Sequence, residues 1–316
     1  MKTSVLSLPA FLPVLLLHNV LSVVQAADEY GLIEVQPSPE ALQACANVSN
    51  TGELDFQGVL GTLVPGDCHA LWAFMGQATE AAQAAGRSNV VYVETGSFLG
   101  CSANIAATAA ETVAQGSPRA LVYAHDLWQD ELAPRAFDTL KQEMDVAGTV
   151  MSVDGTVVAS WERENKGDKP APEEQPPAAA GPGTGSHAPA PVRKQSFFYL
   201  SSFYSSVRRL GREHEIIPIV GNSPRTLAIH EPGSVDLAFV DGDHSYEGSL
   251  ADMEAAWPLL RAGGVMLGHD TVEHEDAAER SSFVRKAVAD FCESRGLTWH
   301  LVEGTWYMFA VFKPEE

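Results

Sequence analysis

The sequence predicts an α/β protein built on a doubly wound, mostly parallel seven-stranded sheet with one antiparallel strand. Three observations predict it. Short apolar runs alternate with segments of helical period; the runs end in polar residues or glycine; and the last two runs are joined by the short turn Glu303-Gly304. Helices between apolar strands cover both faces of a parallel sheet, while a short turn between strands forms a hairpin and reverses one of them.

Length and charge bound the reading. The chain has 316 residues, 45% of them hydrophobic, which is enough for a sizeable core. Its formal charge is −21, from 20 Lys plus Arg against 41 Asp plus Glu. Such a field repels phosphate polymers, so nucleic acid and anionic membrane surfaces are poor candidate partners.

Lys2 precedes an apolar run from Val5 to Val24 that ends in Val24-Gln25-Ala26, with small residues where a signal peptidase cuts. Residues 1–26 are therefore expected to be a signal peptide, directing the chain to the endoplasmic reticulum lumen or out of the cell. An uncleaved membrane anchor is the alternative, although Pro9, Pro13, His18 and Asn19 make a poor spanning helix. After cleavage no stable membrane insertion is expected. Cys45 and Cys68 are the one pair considered for a disulfide, and Asn47-Val48-Ser49 is a glycosylation sequon that matters only in the lumen.

Residues 27–66 show no sustained period and read as an irregular lead-in. A domain from 67 to 316 follows. Asp67 is expected to cap a helix that buries Leu71, Phe74, Met75 and Ala78 and stops at Gly86. Then come strand Val90 to Val93 ending at Glu94, a glycine turn, helix Ser102 to Gln115, strand Ala120 to Ala124 ending at Asp126, and a helix from Pro134 to about Val146. Residues 161–195 are rich in Pro, Ala and Gly, cannot bury apolar area, and are expected to be a disordered insertion. The alternation resumes with helix Phe198 to Leu210, strands Glu215 to Val220 and Val235 to Val240, helix Tyr246 to Leu260, strand Gly264 to Gly268, helix Ser281 to Arg295, and strands Thr298 to Val302 and Trp306 to Phe312. The aromatic residues Trp299, Trp306, Tyr307 and Phe309 are expected in the core.

Ligands of such a sheet sit beyond the carboxyl ends of its strands. The first of those ends is Glu94-Thr95-Gly96-Ser97-Phe98-Leu99-Gly100, where glycines allow a tight turn and the next helix offers unpaired N–H groups. A dinucleotide fingerprint needs glycine where Phe98 stands, and its acidic ribose partner nearer than Asp126, so the spacing disfavours NAD.

Glu94 to Ser102, Val235 to Gly248 (with the rare string Asp241-Gly242-Asp243-His244-Ser245-Tyr246-Glu247-Gly248) and Leu259 to Asp270 together resemble the class I S-adenosylmethionine-dependent methyltransferases of the small-molecule O-methyltransferase type. The resemblance covers about Asn89 to Lys313 apart from the insertion, and implies a Rossmann-like sheet. It implies that Glu94, Gly96, Ser97 and Gly100 border the methionine part of S-adenosylmethionine. Asp126 would accept bonds from the ribose hydroxyls, and Asn222 and Ser223 would flank the adenine. Asp241, beside the cofactor, and Asp270 would hold a divalent ion such as Mg²⁺ that activates an acceptor hydroxyl. Relatives often carry a polar or basic residue at Cys101 and Asn at Thr271, so this chain departs from them at both positions.

Asp243 or His244 is the candidate general base, one or two residues beyond a strand end. The bland alternative has Asp243 capping the helix near Ser245 and His244 packing at the sheet edge. His269 reads either as a base or as a hydrogen-bonding neighbour of Asp270. The expected partner is a small-molecule acceptor; a homo-oligomer is left open. A secreted binding protein that keeps the fold without catalysis is the competing reading, because S-adenosylmethionine is made in the cytosol.

Overall fold

A computed structural model describes residues 31–46, 54–57, 59–128, 148–151, 157–161, 198–271 and 281–315. The signal segment, the Asn47 sequon, the helix expected after Pro134 and residues 162–195 of the Pro-rich insertion lie outside the described residues. Two compact units divide the chain, residues 1–127 with 203–316 and residues 128–202.

The lead-in is more ordered than its lack of period predicts. It holds strand β1 (Leu32–Ile33), helix α1 (Pro39–Ala44) and the antiparallel pair β2 (Leu54–Phe56) and β3 (Val59–Gly61). Ser38 caps α1 by accepting the Ala41 N–H at 3.1 Å. Helix α2 (Pro65–Ala84) begins earlier than expected, because Pro65 suits a first helical position, so Asp67 is the third residue of the helix and not its cap. Cys45, at the end of α1, and Cys68, in the first turn of α2, form a disulfide.

The β/α alternation follows. Strand β4 (Asn89–Thr95) leads into helix α3 (Cys101–Ala114) and strand β5 (Arg119–Asp126). The second unit contains an antiparallel pair, β6 (Gly148–Met151) and β7 (Val157–Trp161), and the start of helix α4 (Phe198–Arg209). Strand β8 (Ile216–Val220), the short helix α5 (Ser223–Thr226), strand β9 (Val235–Val240) and helix α6 (Tyr246–Ala256) come next. Pro258 ends α6 early, and after a 3-10 turn the chain enters β10 (Leu260–Gly268). Helix α7 (Ser281–Glu293), β11 (Trp299–Val302) and β12 (Phe309–Phe312) close the unit.

The main sheet has the order β1-β11-β12-β10-β9-β4-β5-β8. Seven of these strands are those expected. The eighth, β1, adds to the edge by pairing in parallel with β11. Only β12 runs against its neighbours, β10 and β11. Every residue of β9 is buried, as the central strand of a two-sided sheet requires. Asp236 within it is neutralised by Arg87 at 2.5 Å and accepts the Val91 N–H at 2.8 Å. One hydrophobic core packs α6 and α7 against β9, β10 and β12 through Met253, Ala256, Val288, Phe291 and Phe309. No helix among the described residues is long and apolar enough to cross a membrane.

The disulfide closes a loop of sequence separation 23 and staples the lead-in to the first turn of α2. By loop entropy this is worth about 3 kcal/mol. Denaturant unfolding of a Cys45→Ser, Cys68→Ser variant should show a loss of that order, and an unchanged midpoint would contradict it.

Candidate active site

The parallel strands bring their carboxyl ends to one edge of the sheet, and two groups of residues meet there. The first is the glycine turn. Gly96 has φ +80°, and a Cβ at that position would lie 1.9 Å from the carbonyl oxygen of Asp241. The Asp241 N–H donates to the Thr95 carbonyl at 3.1 Å, so the tips of β4 and β9 are joined directly. Gly100, also left-handed, starts α3 and donates its N–H to Ser97. Asp126, at the tip of β5, accepts the Phe98 N–H at 2.8 Å and so steadies the same turn. Gly61, the last residue of β3, and Thr62 and Leu63 just beyond it face Gly96, Ser97 and Asp241 across a small cavity. Their part was invisible in the sequence, where the lead-in carries no motif.

Around this turn the polar side chains of Glu94, Thr95, Ser97 and Asn104 are buried, with Ser97 and Ser102 beside the Glu94 carboxyl and Thr95 beside Asp252. Tyr92 donates its hydroxyl to Glu94 Oε2 at 2.8 Å. Together with the N-terminus of α3, these groups fit the polar methionine end of S-adenosylmethionine.

The second group is a cluster of acids and imidazoles. Asp241 follows β9 and Asp270 follows β10, and their carboxylates converge as the strand order predicts. His244 Nε2 lies 3.5 Å from Asp241 and 3.3 Å from Asp270. His269 Nδ1 lies 3.3 Å from Asp270 and 3.9 Å from Asp241. Ligand atoms of Asp241, His269 and Asp270 all fall within 4.8 Å of one another, a spacing that suits one metal ion. Asp270 has φ +63°, a left-handed conformation that Asp tolerates better than most residues. Thr271 does not join the cluster; its hydroxyl donates to the Tyr307 carbonyl at 2.7 Å.

Asp243 is turned elsewhere. Its carboxylate accepts the Ser245 N–H at 2.9 Å, ahead of the true α6 cap, Ser245, whose hydroxyl accepts the Gly248 N–H. Asn222 starts α5, and Ser223 donates its hydroxyl to Asp252 Oδ1 at 2.7 Å. Asp252, on α6, is buried and unmarked by any sequence motif. A Cβ at Gly242 would come within 2.6 Å of its other oxygen, so it packs between the turns after β8 and β9. The aromatic residues expected in the core divide: Phe309 is buried, whereas Trp306 is 50% exposed.

Burial and mutual charge set the protonation of these groups. Burial opposes a charge on His269, but Asp241, Asp270 and Asp67 outweigh it and hold the imidazole well above its ordinary range. Hydrogen bonding to Asp241 raises His244 in the same sense. Asp270 is lowered, its burial overcome by His269 and His244. Burial pushes Glu94 up to about 7 and Asp252 up to about 6.

A raised carboxyl favours the folded state while protonated. The Glu94 contribution is therefore fully present below its ordinary 4.5 and lost as pH rises through about 7. Glu94→Gln, neutral throughout, should gain stability relative to the parent protein as pH is raised across that window. Thermal unfolding of both proteins without cofactor checks this, and a difference independent of pH would refute it.

A family model described as Methyltransferase domain matches residues 93–271, more than half of the chain. No curated protein matches significantly. Among solved structures, the chain is similar to the O-methyltransferase NovP, with 12% identity over 79% of this chain and 81% of that one and a TM-score of 0.45. It is similar also to an O-methyltransferase from Bacillus cereus in complex with SAH, with 13% identity over 88% and 92% and a TM-score of 0.39. A cofactor-bound protein from MTB gives 16% identity over 88% of both chains and a TM-score of 0.41. The assignment rests on the family match, whose span takes in the glycine turn, Asp126, Asp241 and the His269-Asp270 pair: the chain belongs to the Methyltransferase domain family and is a class I S-adenosylmethionine-dependent methyltransferase.

Proposed function

We propose that the chain methylates a hydroxyl of a small-molecule acceptor, assisted by a divalent cation. The observation that carries the reading is the contact between the Gly96 turn and Asp241, which sets a cofactor turn beside the acid cluster. S-adenosylmethionine, when bound, supplies a methyl group on a positive sulfur. Glu94, Gly96, Ser97 and Gly100 border its methionine part, Asp126 accepts from the ribose hydroxyls, and Asn222 and Ser223 flank its adenine.

Asp241 and Asp270, with His269 Nδ1 as a third donor, would hold a cation of the Mg²⁺ or Mn²⁺ class, which lowers the pKa of an acceptor hydroxyl. His244 is the general base: a cation between Asp241 and Asp270 would replace the positive charge that those carboxylates otherwise hold on its ring, leaving Nε2, less enclosed than His269, able to take the hydroxyl proton. Asp243 is the weaker candidate because its carboxylate serves the Ser245 turn. The acidic surface supports a small, uncharged or cationic acceptor over a nucleic acid.

Calorimetric titration with S-adenosylmethionine should show binding, and its absence with or without Mg²⁺ would defeat the reading in favour of a non-catalytic binding protein. In an acceptor screen with labelled cofactor, Asp241→Ala or Asp270→Ala should lower turnover by about 10³-fold while keeping cofactor affinity. Asp126→Ala should instead weaken cofactor binding by about tenfold or more. Parent-level turnover in Asp241→Ala would remove the proposed centre.

We further propose that the chain works in the secretory pathway, a reading supported by the apolar run Val5 to Val24 and by a disulfide, which an oxidising compartment preserves. N-terminal sequencing of the mature chain should begin at Ala27. A start at Met1 would overturn cleavage.

A further inference from the structure

Asp67 is fully buried at the third position of α2, and its contacts reach beyond the bond that an acid at that position makes to a helix N-cap. One oxygen accepts the Val64 N–H at 2.7 Å and faces His269 Nε2 at 3.3 Å. The other accepts the Trp306 N–H at 2.7 Å. Three distant segments of sequence therefore end on one carboxylate: the start of α2, the turn between β11 and β12, and the tip of β10. A Cβ at Gly66 would stand 1.7 Å from the Gly304 carbonyl oxygen, so that turn lies directly on the first turn of α2. The neighbouring Cys68 is fixed by its disulfide to Cys45, which holds the first turn of α2 to the lead-in.

A histidine that addresses a cation with one ring nitrogen needs a fixed ring and a proton on the other nitrogen, and a carboxylate behind it provides both. Asp67 stands in that place. We infer that Asp67 is a positioning residue: through Nε2 it fixes the ring of His269 so that Nδ1 faces the gap between Asp241 and Asp270, completing a divalent-ion site that lacks a donor at Thr271. The inference rests on the methyltransferase reading and its divalent cation, and it adds a residue from α2 that lies ahead of the family match.

Asn in place of Asp67 keeps the shape but can turn its amide toward His269 Nε2, favouring the wrong tautomer. Ser keeps an acceptor for the Val64 N–H and cannot reach His269. The full chain, as the parent protein and as Asp67→Asn and Asp67→Ser, is titrated by calorimetry with Mn²⁺ and separately with S-adenosylhomocysteine. Both variants should bind Mn²⁺ about 10- to 100-fold more weakly, and S-adenosylhomocysteine within about twofold of the parent. On a His269→Ala background Asp67→Asn should cost nothing more, because Asp67 acts through that ring.

Mn²⁺ affinity unchanged in a variant, an equal loss of both affinities, or additive losses in the double variant would each overturn the inference. So would a parent protein that binds S-adenosylhomocysteine but no Mn²⁺. A parent protein that binds neither would overturn the underlying methyltransferase reading, and the inference with it. Should Asp67→Asn fail to fold, Asp67→Ser decides alone.

Discussion

The architecture of the candidate site depends on one close approach. Gly96 turns in the left-handed region with the Asp241 carbonyl so near that no side chain fits between them. Parallel pairing of β4 with β9 carries the two strand tips to the same level, and the Asp241 N–H bond to Thr95 locks them. Because of that contact, groups suited to a polar cofactor and groups suited to acid–base or metal chemistry share one rim. A sheet with these strands in another order would separate them.

The cluster on that rim is a compromise of charge. Two carboxylates in partly buried positions repel each other unless cations stand between them. His244 and His269 supply that charge here, and the raised His269 and lowered Asp270 are two faces of the same attraction. Asp67 adds a third carboxylate from behind, buried and satisfied by two backbone N–H groups as well as by His269. A divalent ion would take over the role of the imidazolium charge, because both answer the same excess of negative charge.

Much of this was legible in the sequence because it is local. The runs at Val90, Ala120 and Val235 have the composition of buried strands, and the residues that end them, Glu94, Asp126 and Asp241, are polar where a core strand has no reason to be. What escaped was set by long-range contact. Strand β1 is two residues long and exists through its pairing with β11. Asp67 followed the rule for a helix cap, and nothing near it announces a histidine 202 residues away. Asp252 sits in the apolar spacing of α6, and the Ser223 hydroxyl reaches it through the fold and not through any nearness in sequence. The strand expected from Trp306 begins at Phe309, since Trp306 and Tyr307 spend their backbone groups on Asp67 and Thr271.

The most direct measurement is a crystal structure of the chain with S-adenosylhomocysteine and Mn²⁺. The thioether sulfur should lie above the Gly96 turn, the ribose diol on Asp126, and anomalous density for the metal between Asp241, His269 and Asp270. Cofactor density on the opposite edge of the sheet, or metal density away from those three side chains, would contradict that placement.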